Sequence, residues 1–403
     1  MQWYYYIAWF AILTQSLFIF YCMRNYRFAF KKIDKPKLYR PPTVLIVPCK
    51  GIDATFDKNI TSLFNQDYED YRLWFVVGEQ TDPAYERLTE LIEKHSTDSK
   101  AVDIRLFIAG IGKGCGQKVH NQLHCCKQIK DDIEVIAFAD SDICVEKDWL
   151  RNLVWPLRKP KYGASSGYRW FIPEKNNLAS LVLSILNGKI AQLAGHSRFN
   201  LTWGGSMAIR RETFINARVD QVWSNAITDD LTLTWAVKKA GMKVQFVPAC
   251  LVASYESMTW PQLFEFARRQ FLITRNCAPG TWYFGLFSTI YSILGLWAGT
   301  GLAIYAAKTG TLHSTLYIAV PVIFLAGQIL RAILRQKIAS KLLTRDRQRM
   351  KPVAIADIMT CWLWTPLMLV FILSSAFGRT MTWRGIKYKL LGPDKTIVIN
   401  KNN

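Results

Sequence analysis

Short apolar runs alternate with stretches of helical apolar spacing along residues 42–278. The runs are nearly unbroken and rich in β-branched and aromatic residues, which is typical of buried strands in a parallel sheet. The predicted strands are 44–48, 73–77, 104–108 and Val135–Ala139, and the helices between them are 59–65, 85–94 and 118–129. These repeated units predict an α/β domain over 42–278 with a Rossmann-like, mostly parallel sheet flanked by helices.

Residues 3–21 form the first of four longer apolar stretches and are about long enough to span a bilayer. No small-residue cleavage site follows them. The basic residues that come next are Arg24, Arg27, Lys31 and Lys32. Positive residues favour the cytosolic side, so we predict an uncleaved membrane anchor over 1–24. A single buried core helix is the alternative.

Two further apolar stretches, 282–307 and 312–330, predict a transmembrane hairpin within a unit at 281–330. The remainder, 331–403, is predicted to form a basic amphipathic, lipid-facing segment, an interface or re-entrant stretch, and a cytosolic tail. The chain therefore has N-terminal and C-terminal transmembrane or interface helices around one soluble domain.

The fourth apolar stretch, 353–377, contains Asp357 and Pro366. A lone charge at the bilayer centre costs about 2.5–3.5 kcal/mol on the insertion scale, and proline disrupts a helix. Four complete crossings would also leave the basic tail outside, against the positive-inside tendency. We therefore predict that this stretch does not cross, so that the tail lies on the cytosolic side with the α/β domain.

The composition agrees with a membrane protein. The net charge is +21 and the hydrophobic fraction is 50%, a combination that fits anionic lipid as a partner better than nucleic acid. The nine cysteines form no C-x-x-C pair, which favours a reduced, cytosolic setting for the soluble part.

Two aspartates follow the strand Val135–Ala139 at once, in the sequence Asp140-Ser141-Asp142. In an open α/β sheet, ligands bind at the carboxyl ends of the strands. Paired carboxylates there suit a hard divalent cation, which can in turn hold a diphosphate. An Asp-rich turn that caps the next helix is the alternative.

Other acidic residues lie at predicted element ends. Glu79 follows the second strand, where it can accept hydrogen bonds from a uracil N–H or a ribose hydroxyl. Asp82 precedes a proline and is read as a helix start. Asp229 and Asp230 open a helix that a glycine ends. Capping accounts for one of the two, so Asp230 is a candidate base for an acceptor hydroxyl.

Arg268, Arg269 and Arg275 lie just before the predicted hairpin. Arginines at that place can neutralise the charge that builds on a departing diphosphate. Ordinary membrane-flanking basic residues are the alternative.

The ordered set of segments is "VPCKGID", "LFNQDYEDYRLWFVVGEQTDPAYE", "RLFIAG", "QKVHNQL", "FADSDI", "ITDDLTLTWAVKKAG" and "MTWRGIKYKL". With the anchor helix, this set resembles the ceramide glucosyltransferases and their bacterial relatives, a branch of the GT-A-fold glycosyltransferases. The resemblance covers nearly the whole chain. The family pattern is three acidic sites and then a Q/R-x-x-R-W motif beside the membrane.

Residue by residue, Asp140 matches the second acidic site and Asp142 completes its Asp-x-Asp. Asp230 matches the third site, the family's base. The first site departs from the pattern, because Glu79 stands where the family has Asp. In the last motif, Arg269 matches the Arg.

Phe266 and Gln270 stand where that motif has Gln or Arg and Trp, and Arg268 is a candidate substitute. Lys118 and Gln270 are placed with the donor-binding residues. A region near the family's acceptor cleft matches His196, Gly204, Gly205 and Ser206.

The resemblance implies an inverting glycosyltransferase with a UDP-sugar donor, UDP-glucose first. Its acceptor would be the hydroxyl of a membrane lipid such as ceramide, diacylglycerol or a hopanoid-type lipid. Mg²⁺ or Mn²⁺ would be held by Asp142 and Asp140. The expected catalytic residues are Asp230, Arg269 and Arg268, and the expected donor-binding residues are Glu79, Asp140, Lys118 and Gln270. The catalytic domain would face the cytosol, at a bacterial inner membrane or at the endoplasmic reticulum or Golgi of a eukaryote.

Two other functions stay open from the sequence. A processive polysaccharide synthase of the cellulose or hyaluronan kind has more spanning helices and an intact Q-x-x-R-W. A non-catalytic membrane scaffold with the same fold is the second, since fold does not guarantee function.

Overall fold

The computed structural model describes residues 2–30, 38–311, 314–383 and 386–399. Its strands are β1 Thr43–Pro48, β2 Tyr71–Val77, β3 Asp103–Ile108, β4 Val135–Ala139, β5 Tyr162–Pro173, β6 Ser206–Arg210, β7 Lys243–Glu256, β8 Thr380–Trp383, β9 Ile386–Gly392 and β10 Lys395–Ile399. Its α-helices are α1 Gln2–Ala29, α2 Phe56–Phe64, α3 Pro83–His95, α4 Gln117–Cys126, α5 Trp149–Val154, α6 Leu178–Ala191, α7 Arg211–Asn216, α8 Val219–Trp223, α9 Asp230–Lys239, α10 Trp260–Cys277, α11 Pro279–Ile293, α12 Gly299–Thr309, α13 Ser314–Leu342, α14 Lys351–Met359 and α15 Cys361–Ser374.

Seven strands form the central sheet, in the order β3-β2-β1-β4-β6-β5-β7. β1 pairs in parallel with β2 and β4, and β5 pairs in parallel with β7, whereas β6 is antiparallel to both of its neighbours. Every residue of β1 and β4 is buried, because helices cover both faces of the sheet. The prediction of an α/β fold with a mostly parallel sheet flanked by helices is confirmed.

Three helical stretches are long and apolar enough to cross a membrane, namely Trp3–Ala29, Pro279–Thr309 and Thr315–Leu342. The first contains the predicted anchor, and the other two contain the predicted hairpin. Lys31 and Lys32, used above to orient the anchor, and residue 312 of the hairpin lie outside the described residues. α13 continues to Leu342, so the predicted lipid-facing basic segment begins inside this helix. Its first two basic residues, Arg331 and Arg335, are buried.

The fourth apolar stretch is broken. α14 and α15 meet at an angle of 90°. The break lies at Thr360, between the two helices, whereas Pro366 lies within α15. The expectation that Pro366 interrupts the helix is therefore wrong. Asp357 is fully buried, but it is not a lone charge, because the Arg335 guanidinium pairs with it. Its cost in an apolar setting is therefore lower than the sequence indicated.

The tail also differs from the sequence expectation, which gave it no structure. β8, β9 and β10 form a three-stranded antiparallel sheet. One face of this sheet packs against α10 and against Ile227. The apolar residues of this contact are Ile227, Leu272, Ile273, Cys277, Met381, Tyr388 and Leu390. The tail sheet is therefore part of the wall around the α/β domain.

Candidate active site

A cavity of about 720 Å³ opens at the carboxyl edge of β1 and β4 and continues between the apolar helices. We call its first part the sheet-edge end. The residues that line this end include Lys50, Lys118, Asp140, Asp142, Asp230 and Arg269. The opposite part lies between α1, α6, α13 and α15. Its lining residues include Phe18, Lys189, Gln328, Arg331, Arg335 and Thr365. One cavity thus joins a charged sheet edge to the membrane helices.

Asp140 and Asp142 follow β4 directly, as the sequence predicts. The Asp140 Oδ1 atom accepts from the Lys118 ammonium at 2.5 Å, and the Asp142 Oδ2 atom lies 3.5 Å from the Arg169 guanidinium. The Asp142 Oδ1 atom is buried and has no hydrogen-bond partner among the described residues. Burial, and then the charge of Asp140, raise the pKa of Asp142 above its ordinary value.

Asp229 and Asp230 are adjacent but have different surroundings. The Asp229 carboxylate is buried, pairs with Lys118 at 3.0 Å and accepts a hydrogen bond from Gln122 at 2.8 Å. The Asp230 carboxylate lines the cavity, where its Oδ1 atom accepts from the Thr228 hydroxyl at 2.5 Å. Burial, and then the charge of Asp229, raise the pKa of Asp230. The Asp229 side chain makes no capping hydrogen bond, so capping does not explain it.

Lys118, on α4, connects the second and third acidic sites through its bonds to Asp140 and Asp229. Burial alone would lower the pKa of this ammonium, but the charges of Asp140 and Asp229 raise it above its ordinary value. The space beside the bridge is narrow. A Cβ atom on Gly204 would lie 2.5 Å from Asp229 and 2.7 Å from the Lys118 ammonium. A side chain at this position would therefore push the bridge apart.

The two neighbouring arginines point to different places. Arg269 lines the cavity, and its guanidinium lies 5.5 Å from the ring centre of Phe266 and 5.8 Å from that of Trp383. Arg268 is not among the residues that line the cavity; its Nε atom donates to the Ser374 carbonyl at 3.1 Å. Arg269 thus lines the same cavity as the acidic residues, whereas Arg268 connects α10 to the end of α15.

Of the remaining predicted residues, some line the cavity and others do not. Gln270 lines the cavity. Glu79 is exposed and is not one of the lining residues, so its contact with a donor stays a prediction. Asp82 caps α3 by accepting from the Ala84 N–H at 3.0 Å, as preferred above, and it also accepts from the Gly51 N–H at 2.8 Å. His196 is exposed, 6.0 Å from the Phe28 ring.

Three structural features of the cavity were not predicted from the sequence. The bridging position of Lys118 needed the sheet order, and no local signal carries it. The close approach at Gly204 had a weak signal, two successive glycines before a strand. Trp383 and Tyr388, which line the cavity from the tail sheet, had a clearer one. Apolar and basic residues alternate in the stretch that became β9, which is typical of a half-buried strand.

The comparisons with known proteins agree with the sequence resemblance. The family model described as glycosyl transferase family 21 matches residues 7–396. A mannosyltransferase from Pyrobaculum calidifontis, PcManGT, solved in complex with GDP-Man and Mn²⁺, is 16% identical, with a TM-score of 0.47 over 91% of this chain and 96% of that chain. GalNAc-T7, solved with UDP, GalNAc and Mn²⁺, is 12% identical, with a TM-score of 0.40 over 59% of this chain and 48% of that chain.

At such scores the two solved structures carry no argument about this chain. The family match is different, because it covers nearly the full sequence. The resemblance drawn from the ordered acidic sites is confirmed, and the chain belongs to glycosyl transferase family 21.

Proposed function

We propose that this glycosyltransferase moves glucose from UDP-glucose, with inversion, to the hydroxyl of a membrane lipid. The observation that carries the proposal is the single cavity that joins Asp140, Asp142 and Asp230 to apolar helices. A soluble nucleotide-sugar can enter at the sheet edge, while a lipid can enter from between the helices. The apolar walls accept the tails of ceramide, of diacylglycerol or of a hopanoid-type lipid.

The donor set fits a divalent cation, Mg²⁺ or Mn²⁺. Asp140 and Asp142 supply hard oxygen ligands, and the buried Asp142 Oδ1 atom has no other partner among the described residues. No cluster of three or more ligating side chains occurs in the described part of the chain. This suits Mg²⁺ and Mn²⁺ at nucleotide sites, where phosphate and water complete the shell. When bound, the cation would supply positive charge for the diphosphate.

The protein's own residues would then carry the transfer. Asp230 accepts the proton of the lipid hydroxyl, and the resulting oxygen attacks the anomeric carbon of the sugar. The bond from that carbon to the diphosphate breaks, and UDP leaves with the bonding electron pair. A single displacement of this kind inverts the anomeric centre. The guanidinium of Arg269 stabilises the charge that grows on the leaving diphosphate.

Lys118 and Asp229 position this machinery without reacting. Because Lys118 binds both Asp140 and Asp229, it fixes the distance between the β4 edge and the start of α9. Burial, and then the charge of Asp229, raise the pKa of Asp230, which makes Asp230 a better proton acceptor than an ordinary aspartate.

The proposed location is a membrane, with the α/β domain on the cytosolic side, where nucleotide-sugars are made. It would be the inner membrane of a bacterium, or the endoplasmic reticulum or Golgi of a eukaryote. The three apolar helices hold the protein in the bilayer, and the α/β domain lies at its surface.

The test is transfer by the purified full chain in lipid nanodiscs. Radiolabelled UDP-glucose, UDP-galactose and UDP-N-acetylglucosamine are each supplied with Mg²⁺ or Mn²⁺, and the lipids are separated by thin-layer chromatography. Label from UDP-glucose should appear in one lipid, and the Asp230→Asn protein should lose this product. Label that appears only in a water-soluble polymer would instead identify a polysaccharide synthase, and the proposal would be wrong.

A further inference from the structure

The tail sheet, formed by β8, β9 and β10, turns one apolar face towards the protein. Alternate residues of a strand share a face. Met381 and Trp383 of β8 lie on one face, and they pair with Tyr388 and Ile386 of β9. Trp383, Ile386 and Tyr388 line the cavity, whereas Met381 packs in the cluster on α10. The same face of the tail sheet thus rests on α10 and forms part of the cavity wall.

This face also contacts residues on both sides of the candidate base. Ile227 is buried in the cluster that the tail sheet forms with α10, and Leu231 packs against that cluster. Asp230 lies between these two residues in the chain, at the start of α9. On α10, the cluster begins one turn after Arg269. The tail sheet therefore connects the start of α9, which carries Asp230, to the helix that carries Arg269.

Hydrogen bonds attach the beginning of the tail sheet to the same helix. Arg275, near the end of α10, donates to the Ser375 carbonyl at 2.5 Å and also to the Gly378 carbonyl. Both carbonyls belong to the segment that joins α15 to β8. Gly378 has a φ of 76°, a left-handed conformation that favours glycine. The entry into β8 is therefore fixed against α10, a few residues before Trp383.

Two aromatic rings lie beside the Arg269 guanidinium. The Phe266 ring centre, one turn earlier on α10, is 5.5 Å away, and the Trp383 ring centre is 5.8 Å away. A cation within about 6 Å of a ring centre is attracted to the face of that ring. Phe266 makes an edge contact in turn with Phe171 of β5, with the ring centres 5.7 Å apart. The guanidinium is thus close to one ring from its own helix and to one from the tail sheet.

Open space surrounds part of the Arg269 side chain. Arg269 lines the main cavity and also a second cavity of about 230 Å³, which the tail strands line with Thr380, Met381, Thr382 and Lys387. A long side chain beside such space has several rotamers open to it, and ordering it costs conformational entropy. Contacts with fixed rings reduce this freedom before the substrate binds.

We propose that the tail sheet is a working part of the active site and that Trp383 is the residue that positions Arg269 against the leaving diphosphate. This proposal rests on the proposed function. The tail sheet sets the distance between the start of α9 and α10, and the indole of Trp383 holds the guanidinium where the diphosphate charge grows. Trp383 neither donates nor accepts a proton. It acts on the reaction through Arg269.

The first test is a double-variant cycle on sugar transfer by the full chain. Trp383→Leu should lower kcat about tenfold, the effect of one lost cation–π contact out of water. The KM for UDP-glucose should change less, because the diphosphate charge is largest in the transition state. Trp383→Tyr keeps an aromatic face and should retain most of the activity. Trp260→Leu, an exposed tryptophan on α10 outside the cavity, is the matched control.

The Arg269→Ala background decides how Trp383 acts. Residues that work through one contact have non-additive effects. Trp383→Leu should therefore lower kcat no more than twofold when Arg269 is already alanine. If the two losses multiply in the double variant, Trp383 acts independently of Arg269, and the proposal is wrong.

A binding measurement separates this proposal from the proposed function. UDP carries the full charge of the leaving group, whereas uridine has no diphosphate. With Mg²⁺ present, Trp383→Leu should bind UDP about tenfold more weakly than the Trp260→Leu control and should bind uridine equally well. This result supports the proposal even if no lipid accepts glucose. Equal binding of UDP by the two variants overturns it. Equal weakening for UDP and uridine also overturns it, because Trp383 would then act on the nucleoside or on the fold.

Discussion

The two ends of the cavity hold charge in opposite ways. At the sheet edge, Lys118 lies between Asp140 and Asp229, so cation and carboxylates compensate one another inside the protein. At the membrane end of the cavity lie Lys189, Arg331 and Arg335. Among the described residues, Arg335 alone of these three forms an ion pair, with Asp357. Internal compensation fixes geometry, whereas an uncompensated charge creates affinity for something that the chain does not contain.

The comparison requires that the sheet edge and the tail sheet lie on the same side of the membrane. A single cysteine at exposed Lys395, in a background without native cysteines, should be protected from an impermeant thiol reagent on intact cells and labelled after permeabilisation. Thr396 beside it is buried and would not report. A cysteine at exposed Lys308, in the last turn of α12, is the control and should be labelled on intact cells. Labelling of Lys395→Cys without permeabilisation would mean that α14 and α15 cross the bilayer.

The largest loss of activity is expected at the paired carboxylates. Asp142→Asn should lower kcat about 1,000-fold or more, because the variant loses a charged ligand for the divalent cation. EDTA should abolish the activity of the wild-type protein, and added Mg²⁺ or Mn²⁺ should restore it. Asp148→Asn is the control, since this residue lies on the same loop but outside the cavity. Full activity in EDTA would exclude a metal role for these aspartates.

Replacement of Arg269 should affect catalysis more strongly than replacement of its neighbour Arg268. Arg269→Ala should lower kcat by about 100-fold with a smaller change in donor affinity, since the diphosphate charge grows in the transition state. Arg268→Ala should reduce kcat no more than a few fold, because its guanidinium binds the Ser374 carbonyl. Steady-state kinetics on both variants decide this. Equal, small losses would indicate that both residues only flank the membrane.

The buried ion pair between Arg335 and Asp357, at the membrane end of the cavity, should contribute to the stability of the protein. Asp357→Ala leaves the Arg335 guanidinium buried without its partner, and such changes cost about 3–5 kcal/mol. Thermal unfolding in detergent should show a lower Tm. The double variant Arg335→Met, Asp357→Leu should recover most of the loss, because it removes both charges and keeps the volume. A double variant no more stable than Asp357→Ala would refute the pairing.

The smallest expected effect is a shift in pH dependence. The pKa of Asp230 is raised from its ordinary 3.8, and the proton acceptor must be ionised. Therefore kcat/KM should fall on acidification with a midpoint above pH 3.8. The Thr228 hydroxyl bond opposes this rise in pKa. Thr228→Val should move the midpoint to higher pH, and Thr228→Ser should restore it. If Thr228→Val does not change the midpoint, the loss of kcat/KM at acidic pH is due to a group other than Asp230.

Sequence patterns predicted the central sheet well because its signals are local. The four strands β1 to β4 agree with the predicted runs to within two residues at each end. Once β4 was assigned, the position of Asp140 and Asp142 at the sheet edge followed from the fold class. Family membership was likewise accessible, since it depends on ordered segments of the sequence.

Contacts between distant segments were not accessible. Asp357 alone reads as a charge unsuited to a membrane, and its pairing with Arg335 appears only once α13 and α14 are packed together. The tail strands are short, and basic residues occupy their exposed positions, so they resemble a solvated tail. Their partner α10 lies about one hundred residues earlier. The separate roles of Arg268 and Arg269 depend on the rotation of α10, which helical spacing does not fix.

The bridge made by Lys118 has an evolutionary consequence. Its three members come from α4, from the end of β4 and from the start of α9. Loss of any one charge breaks at least one of the two ion pairs in this largely buried bridge, a change that selection would rarely tolerate alone. Among descendants of this chain, positions 118, 140 and 229 should therefore change together or not at all. Covariation of these three positions would reveal the bridge even where the surrounding sequence has diverged.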